Sequence, residues 1–92
     1  MRGYIYSITC NDTNINDEYI GSTINFTRRM KEHKRLSKYK NRKVYNFIRN
    51  HGGWKNWTCD IIDIDDYSNI KELQEKELKV IGILNPVLNI RI

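Results

Sequence analysis

The run Gly3-Tyr4-Ile5-Tyr6-Ser7-Ile8-Thr9, followed after a short polar loop by Glu18-Tyr19-Ile20-Gly21-Ser22, decides the fold of this chain. Tyr4 to Thr9 alternates and is rich in isoleucine and tyrosine, which reads as a β-strand. Asn11 to Asp17 holds Asn, Asp and Thr and reads as a loop. Glu18 to Gly21 is a second strand, ended by Gly-Ser. Two such runs make an antiparallel hairpin that brings Tyr6 near Tyr19. Tyr4 and Tyr6 share one facing, because side chains alternate across a strand.

Outward from the hairpin, Asn25 is a fitting N-cap for a helix from Phe26 to about Leu36. On that helix Phe26, Met30 and His33 share one side, with Arg29 on its flank. Ser37 to Lys43 is a polar, basic connection. Val44 to Asn50 is a second helix, stopped by His51-Gly52-Gly53. Trp57 to Ile64 alternates and forms a third strand. Ser68 then caps a long helix, Asn69 to about Ile83, which Asn85-Pro86 stops. Val87 to Ile92 reads as an extended tail. The order β-β-α-α-β-α predicts an α/β chain of α+β layout: one domain, 1–92, with a small three-stranded antiparallel sheet flanked by helices.

The chain has 92 residues and a net charge of +5, unevenly spread. Between Arg28 and Arg49 there are ten Lys or Arg against one acid, Glu32. The acids gather at Asp60, Asp63, Asp65 and Asp66. This polarity suits a polyanion on one face, although a solvated lysine-rich surface explains it equally well. There is no apolar run long enough to span a bilayer and no signal-peptide pattern at Met1-Arg2-Gly3, so no membrane association is expected. The expected location is intracellular, cytoplasmic or nuclear. The absence of alanine beside abundant Ile, Asn and Lys hints at an AT-rich coding genome, such as that of a phage or large virus. Cys10 and Cys59 lack ligand-like spacing and read as buried free thiols.

Glu77 is the most telling residue for chemistry. Ile70, Leu73, Ile81 and Leu84 mark the apolar stripe of the last helix, and Glu77 falls inside it by the same period. Burying an unpaired carboxylate costs several kcal/mol, so a cation should face it. Arg29 would make it a structural ion pair, and a divalent cation would make it a ligand; a small rotation would bring it to the surface instead. Arg29 and His33 stand four apart on one helix face, where an arginine fork suits a phosphate. His33 would donate to a phosphate or position water, or simply be a hydrogen-bonded histidine at the core edge. A nearby arginine or metal would favour an ionised tyrosine. Tyr45, Trp54 and Trp57 suit base stacking, but a small core claims aromatics first. There is no Walker-type phosphate loop, no H-E-x-x-H zinc helix, no G-x-S-x-G elbow and no paired-acid motif. If a metal binds, Glu77 is its only protein carboxylate.

These elements together resemble the GIY-YIG nuclease family. The name-giving motifs stand here as Gly3-Tyr4-Ile5-Tyr6 and Tyr19-Ile20-Gly21, the first with an extra aromatic, Tyr4. The family's helix arginine and histidine are matched by Arg29 and His33, its glutamate by Glu77 and its late asparagine by Asn89. The passage His51-Gly52-Gly53-Trp54 also looks like that of relatives. The resemblance covers nearly the whole chain.

What the resemblance implies is a metal-dependent DNA endonuclease leaving a 5′-phosphate and a 3′-hydroxyl. Tyr6 resembles the general base and Tyr19 a partner that positions water or assists at the metal. Arg29 would hold the scissile phosphate, and Glu77 one Mg²⁺ or Mn²⁺. His33 looks like an auxiliary active-site residue, and Asn89 a supporting hydrogen-bond partner. Arg28, Lys34, Arg35, Lys38, Lys40, Arg42 and Lys43 would contact DNA phosphates without reading sequence. The alternatives are a DNA-binding module that keeps the fold without cutting, or a partner-dependent, structure-specific nuclease. A homodimer or an accessory specificity subunit is compatible with a single active site that cuts one strand at a time.

Overall fold

The computed structural model describes residues 1–89. Strand β1 (Arg2–Cys10) is central, β2 (Glu18–Thr23) lies on one side and β3 (Trp57–Asp66) on the other, all antiparallel. Helix α1 (Phe26–Leu36) and helix α2 (Lys43–Asn50) follow the hairpin, and helix α3 (Ile70–Leu84) follows β3. The expected three-stranded sheet and the order β-β-α-α-β-α are both present.

Strand alternation divides the core in two. Tyr6 and Ile8 face one way and pack with Val44, Tyr45, Ile48, Trp57 and Leu88, with Phe26 and Met30 of α1 against them. Ile5 faces the other way and packs with Ile20 and Leu73, flanked by Tyr67, Val80 and Ile81. The sheet is therefore covered by α1 and α2 on one face and by α3 on the other. Ile5, Ile8, Ile20 and Ile48 are fully buried, each worth about 1.5–3 kcal/mol of apolar burial. Gly3 lets α3 approach: a Cβ there would lie 2.8 Å from Leu73 Cδ1 and 2.8 Å from the Tyr67 ring. On β3 the register slips between Ile5↔Asp63 and Tyr6↔Ile61. Ile62 is the extra residue of that bulge.

Local signals place most boundaries. The Asn25 side chain accepts from Arg28 N at 3.1 Å and starts α1. The cap of α3 is Asn69 rather than Ser68: Asn69 Oδ1 accepts from Glu72 N at 3.0 Å, while Ser68 N donates to the Glu72 carboxylate at 2.8 Å. Glu72 lies three residues after Asn69, the amide an N-cap side chain reaches, and Ser68 sits one residue outside. Asn85 ends α3 with φ 48°, a left-handed conformation that asparagine tolerates. Val87–Asn89 is a single 3₁₀ turn rather than extended chain, because buried Leu88 must turn into the first core. The rest of the expected tail, residues 90–92, lies outside the described residues.

The buried stripe of α3 is also narrower than its periodicity suggests. Leu73 is buried and Glu77, Val80 and Ile81 are half-buried, but Ile70 and Leu84 are exposed at the two ends. A helix longer than the sheet is wide leaves its terminal turns uncovered. Cys10 and Cys59 are free thiols, half-buried rather than buried, against the rim of the first core. Burial, with the charge of Asp60 second, pushes the Cys59 thiol up to about 11.

Candidate active site

Tyr6 stands opposite Gly21 in the hairpin register. A Cβ on Gly21 would lie 2.4 Å from Tyr6 Oη and 2.5 Å from its Cζ. The Tyr6 ring thus lies directly across the backbone of β2, which only a glycine permits. This is the physical link between the two motifs: the glycine of the second makes room for the tyrosine of the first. From there the Tyr6 hydroxyl reaches His33 Nε2 at 2.7 Å, and His33 Nδ1 meets Tyr45 Oη at 2.8 Å.

His33 has no exposed surface and lies among the rings of Tyr6, Tyr19, Tyr45 and Trp54. Both ring nitrogens are occupied by tyrosine hydroxyls. Of the readings open for His33, the geometry matches the hydrogen-bonded core histidine: the ring is held inside the core, behind the cleft. Burial, and then the nearby Arg29 charge, hold its pKa down at about 3, so the ring is neutral.

Arg29, half-buried on α1, pairs with Glu32 one turn on rather than with Glu77. The structural ion pair considered for Glu77 is therefore absent, and among the described residues Glu77 has no ion-pair partner. A neighbour three residues along the same helix is simply nearer than one on α3. The Arg29 charge does oppose the rise in the tyrosine pKa values, but burial outweighs it. Tyr6 is raised by burial first and by Tyr19 next, and Tyr19 by burial and then Glu77. Tyr45 is likewise raised by burial. All three phenols are protonated at neutral pH; Arg29 favours the ionised form, as expected of a nearby arginine, but burial outweighs it.

Glu77 lines an open cleft of about 880 Å³ together with Tyr19, Asn41, Arg42, Lys43, Tyr45 and Asn89, among others. Arg29 opens onto an adjoining cleft of about 540 Å³ with Lys40. The two clefts share Asn41, Arg42 and Tyr45. Tyr19, on the Glu77 side, feels both Glu77 and Arg29. Asn89 is not a cleft ligand: its Oδ1 accepts from Ile20 N and its Nδ2 donates to Ile20 O, each at 2.7 Å. It ties the Val87–Asn89 turn to β2 next to Tyr19.

Arg28, Lys34, Arg35, Lys38, Lys40, Arg42 and Lys43 are all exposed, and among the described residues none forms an ion pair. Arg49, by contrast, donates to Ser37 O at 2.7 Å and Lys40 O at 2.8 Å and braces the α1–α2 connection. Tyr45 is the residue whose part in this arrangement the sequence reading missed. Its apolar neighbours Val44 and Ile48 mark a core position, and a buried phenol must find a partner, but nothing in the sequence names His33 as that partner.

Among the described residues no three His, Cys, Asp or Glu side chains cluster as a metal cage would require. Glu77 is the one carboxylate lining the cleft. A single half-buried, unpaired carboxylate at an open cleft fits a hard cation that keeps most of its water, such as Mg²⁺. It does not fit zinc, which demands closed nitrogen and sulfur ligation.

Comparison with known proteins agrees with this fold. The structure is similar to that of a mutant catalytic domain of intron endonuclease I-TevI, with 26% identity and a TM-score of 0.73, over 92% of this chain and 86% of that one. A second structure, of the catalytic domain of homing endonuclease I-TevI, has 24% identity and a TM-score of 0.72, over 90% and 88% of the two chains, and speaks for the fold alone. No curated protein sequence matches the chain. The family model for the GIY-YIG catalytic domain matches residues 2–89, and with that coverage the chain belongs to the GIY-YIG family.

Proposed function

We propose that this chain is a divalent-metal-dependent DNA endonuclease. The observation that carries this reading is Glu77: a half-buried carboxylate without a protein cation, in a cleft whose other polar walls are tyrosine, asparagine, arginine and lysine.

In this reading Arg29 and Arg42 draw the phosphodiester into the joined clefts and oppose the charge that builds on it during attack. Tyr6 takes the proton of the attacking water. Because burial keeps Tyr6 protonated, it can accept that proton only while releasing its own, and the acceptor within reach is His33 Nε2. Tyr19, beside Glu77, orients water at the cleft floor. Asn89 keeps Tyr19 in place through Ile20. Glu77 would hold one Mg²⁺ or Mn²⁺, with water and substrate oxygens supplying the remaining ligands. Such an ion, when bound, supplies Lewis-acid stabilisation of the leaving 3′ oxygen. The products are a 5′-phosphate and a 3′-hydroxyl. The exposed basic residues of α1 and the following loop give affinity that depends on salt and not on sequence.

Nicking of supercoiled plasmid in Mg²⁺ tests this. Glu77→Ala should abolish nicking while DNA retention in a gel shift is kept, and Tyr6→Phe should lower the rate about 100-fold or more. Undiminished nicking by Glu77→Ala would remove Glu77 from the mechanism. DNA binding by the wild type without any nicking would leave only a binding module.

A further inference from the structure

We propose that Tyr45 is the outer member of a three-residue proton relay, Tyr6–His33–Tyr45, which carries the proton of the attacking water away from the reaction centre and out to the cleft. The inference rests on the nuclease reading above and extends it.

Three observations carry it. The hydrogen bonds are continuous, 2.7 Å from Tyr6 Oη to His33 Nε2 and 2.8 Å from His33 Nδ1 to Tyr45 Oη. The chain is dry: Tyr6 is 1%, His33 0% and Tyr45 2% exposed. It ends beside the clefts, both of which Tyr45 lines. A phenol buried only to complete a core needs one partner. This one also stands where two clefts meet.

The transfers balance. The attacking water gives a proton to Tyr6 Oη as its oxygen bonds to phosphorus. Tyr6 gives its own hydroxyl proton to His33 Nε2. His33 gives its Nδ1 proton to Tyr45 Oη, and Tyr45 gives its hydroxyl proton to water in the cleft. Each side chain ends neutral with as many protons as before, and His33 has exchanged one tautomer for the other. An imidazole strongly disfavoured as a cation suits this role, since the proton passes through without a charge being trapped on the ring. Run in reverse after product release, the relay restores the starting tautomer. Tyr45 itself does not touch the substrate. It acts through His33, by accepting from Nδ1 and so leaving Nε2 free to accept from Tyr6.

The test is Tyr45→Phe, which keeps the ring and removes the hydroxyl. Single-turnover nicking should fall about 10-fold or more with DNA affinity unchanged. The proton inventory in H₂O/D₂O mixtures, curved in the wild type because several protons move together, should become less curved, because only the transfers from water to Tyr6 and from Tyr6 to His33 remain. Wild-type rates in Tyr45→Phe would overturn the relay and leave the nuclease reading standing; a slower rate with the same curved inventory would also overturn it, by showing a merely structural role. Imidazole ¹⁵N shifts of the wild-type protein add a readout independent of turnover and of the variant's folding. The relay requires the Nδ1-protonated tautomer of His33 at rest, and an Nε2-protonated ring would refute it. If the wild type does not nick at all, the nuclease reading fails and the relay falls with it.

Discussion

Asn89 grips Ile20 by both of its backbone groups, accepting from the N–H and donating to the C=O at 2.7 Å each. One side chain thereby does for the outer edge of β2 what a neighbouring strand would do, satisfying a donor and an acceptor next to Tyr19. The contact joins residues far apart in sequence and fastens the Val87–Asn89 turn to the wall of the cleft.

Replacing Asn89 by Ala should lower stability by about 1–3 kcal/mol, since two partly buried backbone groups lose their partner. Urea denaturation measures the change. Nicking should fall more than stability alone explains, because Tyr19 loses its anchor. A variant with the wild-type midpoint and rate would show the clamp to be idle.

Gly21→Ala should destabilise the fold by about 1–3 kcal/mol through overpacking. The added methyl would sit 2.4 Å from the Tyr6 hydroxyl, and the ring must move away from His33. Thermal denaturation and nicking rate should fall together. An unperturbed Tyr6–His33 hydrogen bond in a structure of the variant would contradict this account of the second motif.

Stability in acid should reveal His33. Its folded pKa of about 3 lies below the unfolded value of 6.5. Between these two values the unfolded chain takes up a proton that the folded chain refuses. The His33 contribution is therefore fully present above pH 6.5 and is lost as pH falls toward 3, with a slope approaching 1.4 kcal/mol per pH unit. Comparing ΔG of unfolding for wild type and His33→Gln from pH 7 to pH 4 isolates it. Parallel curves would mean that the ring is not buried neutral in solution.

Arg42 and Lys34 should behave differently. Both are exposed cations, but only Arg42 lines the clefts, and it lines both. Lys34→Ala should weaken DNA binding modestly and lower the salt slope by about 1 with little effect on single-turnover nicking. Arg42→Ala should lower the salt slope similarly and slow nicking as well, by about 10-fold or more if it helps oppose transition-state charge. Equal effects of the two on single-turnover rate would place Arg42 with the general DNA-binding surface.

Much of this protein was legible from residue order. The tyrosine- and isoleucine-rich alternation of the first strand, the Asn25 cap and the Gly-Gly stop are local devices, and local devices report strands, turns and helix ends wherever they occur. The segregation of basic residues into residues 28–49 is likewise a property of the chain. Glu77 announced itself because a carboxylate conflicts with the apolar period around it. The sequence therefore determined the order of elements, the family pattern and which residues deserved suspicion.

Only the tertiary structure decided what each of them meets. Arg29 chose Glu32 over Glu77, His33 turned inward to two phenols, and Tyr45 joined them from another helix. The stripe of α3 shortened because the sheet beneath it ended. Partner choice of this kind depends on distance, burial and competing hydrogen bonds in three dimensions. Periodicity along a helix gives the direction of a side chain, but not what waits at the end of it.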